Sequence, residues 1–363
     1  MDEFVYFQPV KIHFGAGRFK QLPVILREYG IRRCVLVCGP HFAEEAERLR
    51  QDVPEVCAVF SDTQPNPQLS GVQETLRLIR LHGADAVLGI GGGSAIDTAK
   101  FAAAAALGEQ DAAYYYRSLD FPAKRLKIIA VPTTAGTGSE VTQVSVISHG
   151  EEKKTINHPA FMPTAAIVDP ELTLSVPPRT TMVTGLDALA HALEGYWSRN
   201  HQPICDLMAT EAVRLVLENL ETAYRDGGDL EARSRMAYAS LLGGLAFALP
   251  KTAASHACSY PLSADYHLPH GEACAFTLDS LVRVNADARL ETLCRRAGLS
   301  GSGELAERIS ALKAMAGLRA RLKELGNVDI EKLAEDCAAH PLMGNNPVAM
   351  DKEAVRQMFE NLR

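Results

Sequence analysis

A pair of prolines divides this chain into two kinds of sequence. Ahead of it, short β-branched runs recur: 34–38, 56–60, 86–90 and 127–132. Between them lie stretches with helical apolar spacing, such as Val72, Leu76 and Ile79 in 71–82. Strands that alternate with helices predict a parallel sheet covered by helices. Beyond Val176-Pro177-Pro178-Arg179 the β-branched runs fade, and Ala, Leu, Glu and Arg dominate. There the residues at 180–197, 205–221, 230–247 and 303–324 predict helices. Paired prolines stop regular structure, so the boundary is set at residue 178. An α/β domain is expected over 1–178 and an all-helical domain over 179–363. A chain of 363 residues is long enough for two cores.

Composition narrows the partners. Hydrophobic residues make up 47% and charged residues 22%, with a formal net charge of -7 spread along the chain. A nucleic-acid or anionic-membrane partner needs a basic face, so neither is expected. The Ala-rich stretch at 101–107 is too short to cross a bilayer. Met1-Asp2-Glu3-Phe4 carries no secretory n- or h-region. Eight cysteines form no Cys-x-x-Cys pair and sit in apolar surroundings, which predicts buried free thiols in a reducing, cytoplasmic setting.

The third strand runs directly into Gly91-Gly92-Gly93-Ser94-Ala95-Ile96-Asp97-Thr98-Ala99-Lys100. Glycines let backbone approach a ligand closely, and the following helix aims its free N–H groups at an anion such as a pyrophosphate. A plain strand-to-helix turn would also use glycines. The pattern is neither Gly-x-Gly-x-x-Gly nor a P-loop. The fourth strand ends in Pro132-Thr133-Thr134-Ala135-Gly136-Thr137-Gly138-Ser139-Glu140, on the same sheet edge, where α/β sheets bind ligands. Its alternative reading is a Ser/Thr loop that caps a helix. Asn66, in Asp62-Thr63-Gln64-Pro65-Asn66-Pro67, either contacts a ligand or shapes its own turn.

In the second half, Asp187 and His191 stand four residues apart, which stacks them on one face of a helix. His256 and His270 add two imidazoles. Singly, each has an ordinary reading: a local ion pair, a core histidine, a residue that shapes a turn. Together they form a one-carboxylate, three-imidazole set suited to Fe²⁺ or Zn²⁺. Combined with the glycine turn, they predict a ligand cleft between the domains.

These motifs resemble the iron-containing (group III) alcohol dehydrogenases over nearly the whole chain. The carriers are Gly91-Gly92-Gly93-Ser94-x-x-Asp97-x-x-Lys100, Pro132-Thr133-Thr134-x-Gly136-Thr137-Gly138-Ser139-Glu140-Val141-Thr142, Gly185-x-Asp187-Ala188-x-x-His191-x-x-Glu194 and Pro269-His270-Gly271. The resemblance implies a Rossmann-like NAD(P)-binding domain followed by a helical metal-binding domain, the layout shared with dehydroquinate synthase. It makes Asp187, His191, His256 and His270 the metal ligands and puts Gly92, Gly93 and Ser94 on the pyrophosphate. Thr133, Thr134, Thr137 and Lys154 contact the rest of the cofactor, with Gly39, Asn66, Gly91 and Asp97 also grouped about it. The implied activity is hydride transfer between the nicotinamide and a small aldehyde or primary alcohol, in a homo-oligomer, with a homodimer expected.

Two departures stand out. Many members carry a second histidine four residues after the third ligand; here that residue is Tyr260, so Tyr260, His267 or water carries the proton. NAD-selective relatives often place an Asp where Gly39 stands, and its absence leans toward NADPH or dual use with NADH. Arg199, Asn200, His201 and Gln202 follow the metal helix, which suggests a variant acting on phosphonoacetaldehyde or sulfoacetaldehyde; the same residues also read as a solvated loop. Dehydroquinate synthase-like or glycerol dehydrogenase-like metalloenzymes and a non-catalytic nucleotide or metal binder are the alternatives.

Overall fold

The computed structural model describes residues 3–150 and 152–363. The chain divides into two compact units. One comprises Phe7–Thr134 and Ser139–Thr173; the other comprises Leu174–Arg363 with Ala135–Gly138 and residues 3–6. The division therefore falls at Thr173 rather than 178, and four residues of the threonine-glycine loop group with the helices.

The first unit contains the strands β1 (Lys11–Phe14), β2 (Cys34–Cys38), β3 (Val56–Phe60), β4 (Ala86–Gly91), β5 (Lys127–Pro132), β6 (Val144–His149), β7 (Glu152–Asn157) and β8 (Ala165–Val168). Its helices are α1 (Leu22–Glu28), α2 (Ala43–Asp52), α3 (Leu69–His82), α4 (Gly93–Ala105) and α5 (Ala112–Ser118). Six strands form one parallel sheet in the order β1-β8-β5-β4-β2-β3. The continuous apolar runs are explained by this placement: every residue of Cys34–Cys38 is buried, as a strand covered on both faces requires. Burial of each Val or Leu side chain there contributes roughly 1.5–3 kcal/mol. β3 lies on one side of β2, and the chain then returns to the other side as β4. The direction of winding reverses between β2 and β4, so Gly39 and the turn at 91–94 end up at the switch point of the sheet.

Sequence reading missed β1 and the antiparallel hairpin β6–β7, whose Glu152-Lys153-Lys154-Thr155 is too polar to read as a strand. A buried polar cluster fastens that hairpin to α4. Asp97 accepts from Ser139 Oγ at 2.6 Å and from the Val146 N–H at 2.9 Å. Lys100 Nζ donates to Ser139 Oγ at 2.7 Å and to the Val144 carbonyl at 2.9 Å. Burial pulls the Lys100 ammonium down to about 8, against the pull of Asp97 and Glu140. The Asp97 carboxylate is thus spent on protein donors, and its place in the glycine motif is explained by loop anchoring rather than by contact with a cofactor.

The second unit contains α6 (Pro178–Trp197), α7 (Pro203–Arg225), α8 (Leu230–Phe247), α9 (Ala254–Tyr266), α10 (His270–Val284), α11 (Ala288–Arg296), α12 (Ser302–Met315), α13 (Ile330–Ala339) and α14 (Lys352–Glu360). α6 runs through the middle, packed by α7, α8 and α10, and is buried almost all round from Gly185 to Trp197. The single helix expected over 303–324 stops at Met315. Gly317 takes a left-handed φ of 59°, and the Leu318 N–H donates to the Lys313 carbonyl at 3.0 Å, a glycine-terminated C-cap. A short 3₁₀ turn, Leu322–Leu325, follows.

Candidate metal centre and dinucleotide turn

Four side chains from three helices of the second unit converge. Asp187 and His191 lie one turn apart on α6; His256 is the third residue of α9, and His270 is the first residue of α10. His256 Nε2 lies 3.0 Å from His191 Nε2 and 3.7 Å from Asp187 Oδ1. His270 Nε2 lies 3.9 Å from the same carboxylate oxygen. A four-coordinate ion with bonds near 2.1 Å separates its ligand atoms by about 3.4 Å, so these spacings bracket what one shared cation requires. Asp187, His191 and His256 are buried, while the His270 side chain is 40% exposed, leaving one side open to a small molecule.

Hydrogen bonds orient the rings. His191 Nδ1 pairs with the Gly136 carbonyl at 3.1 Å, which makes Nδ1 the protonated nitrogen and turns the Nε2 lone pair to the cluster. His256 Nδ1 bonds Glu194, whose other oxygen accepts from the Ser255 N–H at 2.6 Å. This carboxylate–imidazole pair sets the tautomer of a ligating histidine. Burial, with His256 and His270 alongside, holds His191 well below the usual imidazole range, so it stays neutral and able to ligate. For His256 burial opposes the proton, but Cys274 and Glu194 outweigh it, and its affinity for positive charge is raised. Phe247 stacks on His191, ring centroids 4.2 Å apart at 14°, and walls that side.

Cys274, one turn beyond His270, brings a sulfur within 3.9 Å of His270 Nε2 and, with Asp187, His256 and His270, forms a group whose ligand atoms all lie within 4.8 Å. Burial raises the thiol, against the pull of His256. His191 brings a third imidazole to the group, its Nε2 3.0 Å from His256 Nε2. With one carboxylate and three imidazoles, the set fits a divalent iron or zinc ion.

Gly271 explains how α10 reaches Asp187. A Cβ built there would sit 2.4 Å from the Val183 carbonyl oxygen, one turn before Asp187 on α6. Only glycine lets the helices approach this closely. A Gly271→Ala variant is expected to lose about 1–3 kcal/mol of stability and to bind metal more weakly, checked by thermal unfolding with and without added Zn²⁺.

In the first unit, Gly91 adopts φ 150°, and a Cβ on it would meet the Ala95 Cβ at 2.9 Å. Gly92 caps α4, and a Cβ on Gly92 would lie 3.4 Å from Thr134 Oγ1. The Thr133 N–H donates to the Gly91 carbonyl at 2.9 Å, tying the two loops together. Gly91, Gly92, Gly93 and Ser94 are partly exposed ahead of a 13-residue helix, a cradle open to an anion. Gly39, in extended backbone after β2, brings no side chain to this edge. Thr137 belongs with the helical unit.

Other candidates lie differently. Asn66 has φ 55° and its Oδ1 accepts from Lys153 Nζ at 2.9 Å, so it shapes its own turn. Lys154 Nζ donates to the Tyr116 carbonyl at 2.9 Å and lies over the Tyr116 ring, engaged by protein. Tyr260 stacks on His340, centroids 4.3 Å apart. His267 is the exposed, left-handed C-cap of α9, with φ 54°. Arg199 is exposed and donates to the Pro347 carbonyl at 3.4 Å, and His201 pairs with Asp206 at 3.1 Å. Both are engaged by protein partners. The role of Glu194 went unread, although 187, 191 and 194 share one helical face and that spacing was a usable signal.

A glycine cradle on a parallel sheet and a carboxylate–imidazole metal cluster in a helical unit define a metal-dependent, dinucleotide-linked dehydrogenase. The iron-containing alcohol dehydrogenase model matches residues 9–170, and the C-terminal model of the Fe-containing alcohol dehydrogenase family matches 181–362. The chain belongs to the iron-containing alcohol dehydrogenase family, and it is an oxidoreductase acting on alcohols and aldehydes. It is 33% identical to long-chain-alcohol dehydrogenase 1 of Geobacillus thermodenitrificans, covering 98% of this chain and 95% of the relative. It is 32% identical to a 1-propanol dehydrogenase of Salmonella typhimurium, covering 97% and 98%. Among solved structures, sulfoacetaldehyde reductase from Bifidobacterium kashiwanohense in complex with NAD+ superposes with a TM-score of 0.95 at 41% identity, covering 100% of this chain and 99% of the other. No helix among the described residues is long and apolar enough to cross a membrane.

Proposed function

We propose that this protein reduces a short aldehyde bearing an anionic head group, such as sulfoacetaldehyde or phosphonoacetaldehyde, to its alcohol with NADH or NADPH. The observation that carries the redox reading is the convergence of Asp187, His191, His256 and His270. The 41% identity to a sulfoacetaldehyde reductase supports the anionic substrate. When bound, a divalent ion, Fe²⁺ before Zn²⁺, supplies Lewis acidity toward the aldehyde oxygen, and the nicotinamide supplies the hydride.

The chain's own residues do the rest. Asp187, His191, His256 and His270 hold the ion. Glu194 and the Gly136 carbonyl fix the imidazole tautomers. One carboxylate among the ligands leaves the loaded site net positive, which favours an oxyanion. Phe247 keeps water from one face of His191. Gly91, Gly92, Gly93, Ser94, Thr133 and Thr134 bind the dinucleotide, with Thr137 beyond them. Tyr260 is the proton-carrying group this reading favours, since His267 is an exposed helix cap. With no carboxylate at Gly39, a 2′-phosphate meets no repulsion there, which supports NADPH as well as NADH.

Exposed Phe4, Val5 and Phe7 offer apolar surface for a second copy and support a homodimer. Eight free cysteines suit the cytoplasm.

The test is a rate screen of NADH and NADPH oxidation with sulfoacetaldehyde, phosphonoacetaldehyde and propionaldehyde. A higher kcat/KM for either anionic aldehyde is expected. A clear preference for propionaldehyde would replace this reading with a neutral-alcohol enzyme, as the long-chain-alcohol and 1-propanol dehydrogenase relatives suggest.

A further inference from the structure

A cavity of about 1080 Å³ opens in the helical unit, between the second half of α10, the end of α12, the turn at Leu322–Leu325 and α14. None of its lining residues belongs to the metal cluster or to the dinucleotide turn. At 1.5 Å per residue, Arg283 lies about 20 Å along α10 from His270, so a ligand here is separate from the aldehyde. Small-molecule pockets of this size are mostly apolar, with a few polar groups that set orientation. The lining fits that pattern: Val284, Ala314, Leu318, Val348, Met350 and Met358 form its apolar part. Val348 is 41% exposed, so this apolar surface is not closed over by the core.

The charged groups of the lining divide into two sets. Each carboxylate already has protein donors. Asp279 pairs with Lys313 at 2.7 Å and accepts from Ser310 Oγ at 2.6 Å. Glu324 accepts from the Ala320 and Arg321 N–H groups, both at 2.8 Å. Asp351 accepts from the Ala354 N–H at 2.9 Å and caps α14, and Glu353 pairs with Arg356 at 2.6 Å. The guanidiniums are not matched in this way. Arg283 has no hydrogen-bond or ion-pair partner among the described residues. Arg321 Nη1 donates to the Asn361 carbonyl at 3.2 Å, and no carboxylate among the described residues lies within 4.0 Å of its side-chain nitrogens. Desolvation lowers the buried Lys313 ammonium, Asp279 opposes this, and Arg321 lowers it further, so the Arg321 charge is felt inside the cavity.

We propose that this cavity binds an amphiphilic carboxylate, a medium-chain fatty acid. The aliphatic chain lies against Val284, Leu318, Val348 and Met358, and the carboxylate meets Arg283 and Arg321. A guanidinium takes a carboxylate through two parallel hydrogen bonds, which a neutral head group cannot reproduce. Binding is an ion pair plus apolar burial, with no covalent step, and it stands apart from the choice of aldehyde.

The experiment is calorimetric titration of metal-loaded protein with decanoate, decanol and acetate. Wild type is compared with Arg283→Gln, which removes a charge, and Ala314→Trp, which fills the apolar space. Both positions are exposed, so neither change disturbs the core. Decanoate is expected to bind wild type at about one site per chain, roughly tenfold or more tighter than decanol or acetate. Arg283→Gln should weaken decanoate roughly tenfold and leave decanol within about threefold. Ala314→Trp should weaken decanoate and decanol alike, by roughly tenfold or more. Decanoate that fails to bind wild type, or binds no tighter than decanol, would overturn the proposal. So would unchanged decanoate affinity in either variant, which would place the ligand elsewhere, the metal cluster included.

Discussion

A His256→Ala variant, purified anaerobically, is expected to retain little metal and to lose turnover by about 1,000-fold or more, while its far-ultraviolet circular dichroism stays that of wild type. His256 is the hub of the cluster: its Nε2 faces both His191 and Asp187, and its Nδ1 is held by Glu194. Removing it leaves three donors on two helices and the Glu194 carboxylate without its imidazole. Loss of a Lewis acid that stabilises developing charge costs several kcal/mol of the barrier, and each ~1.4 kcal/mol is tenfold in rate. The measurements are metal per chain and steady-state rate. A variant that holds a full equivalent of metal and keeps its rate would show that the ligands lie elsewhere.

The second large effect concerns a residue that is not a ligand. Glu194 has a fully buried side chain, and it serves three groups: His256 Nδ1, the Ser255 N–H at 2.6 Å and the His256 N–H at 3.4 Å. Glu194→Ala strands those donors in a dry interior. Breaking a buried, hydrogen-bonded ion pair from one side costs about 3–5 kcal/mol, and loss of the carboxylate behind a ligating imidazole weakens metal affinity by roughly 10- to 100-fold. Both are expected: a lowered Tm for the metal-free protein and a raised dissociation constant for Zn²⁺ by competition with a chelator. Glu194→Gln should restore the fold more than the affinity, because an amide still accepts hydrogen bonds but carries no charge. Equal metal affinity in wild type and both variants would refute the orienting role.

The parts of this account that were legible in the sequence share a physical character. Fully buried parallel strands must be apolar throughout, so β2, β4 and β5 announce themselves. An i, i+4 pair on a helix can only lie on one face, so Asp187 and His191 could be placed together from spacing. What escaped depends on partners far away in the chain. The polar β7 strand is made by pairing with β6, not by its own residues. Asp97 looks like a ligand in its motif, yet Ser139 and Val146, more than forty residues on, claim its carboxylate. Arg199 follows the metal helix in sequence, but it is turned to the carbonyl of Pro347. Gly271 matched a motif, while its reason, a backbone approach to Val183, is a tertiary fact.

The central claim is that one carboxylate and three imidazoles hold a single divalent transition metal ion, with Cys274 a bystander. X-ray absorption at the iron and zinc edges of anaerobically purified protein, with metal counted per chain, tests it directly. The account predicts about one metal per chain and a first shell of nitrogen and oxygen near 2.1 Å with no sulfur. A sulfur shell near 2.3 Å, or protein that binds neither metal, would contradict it.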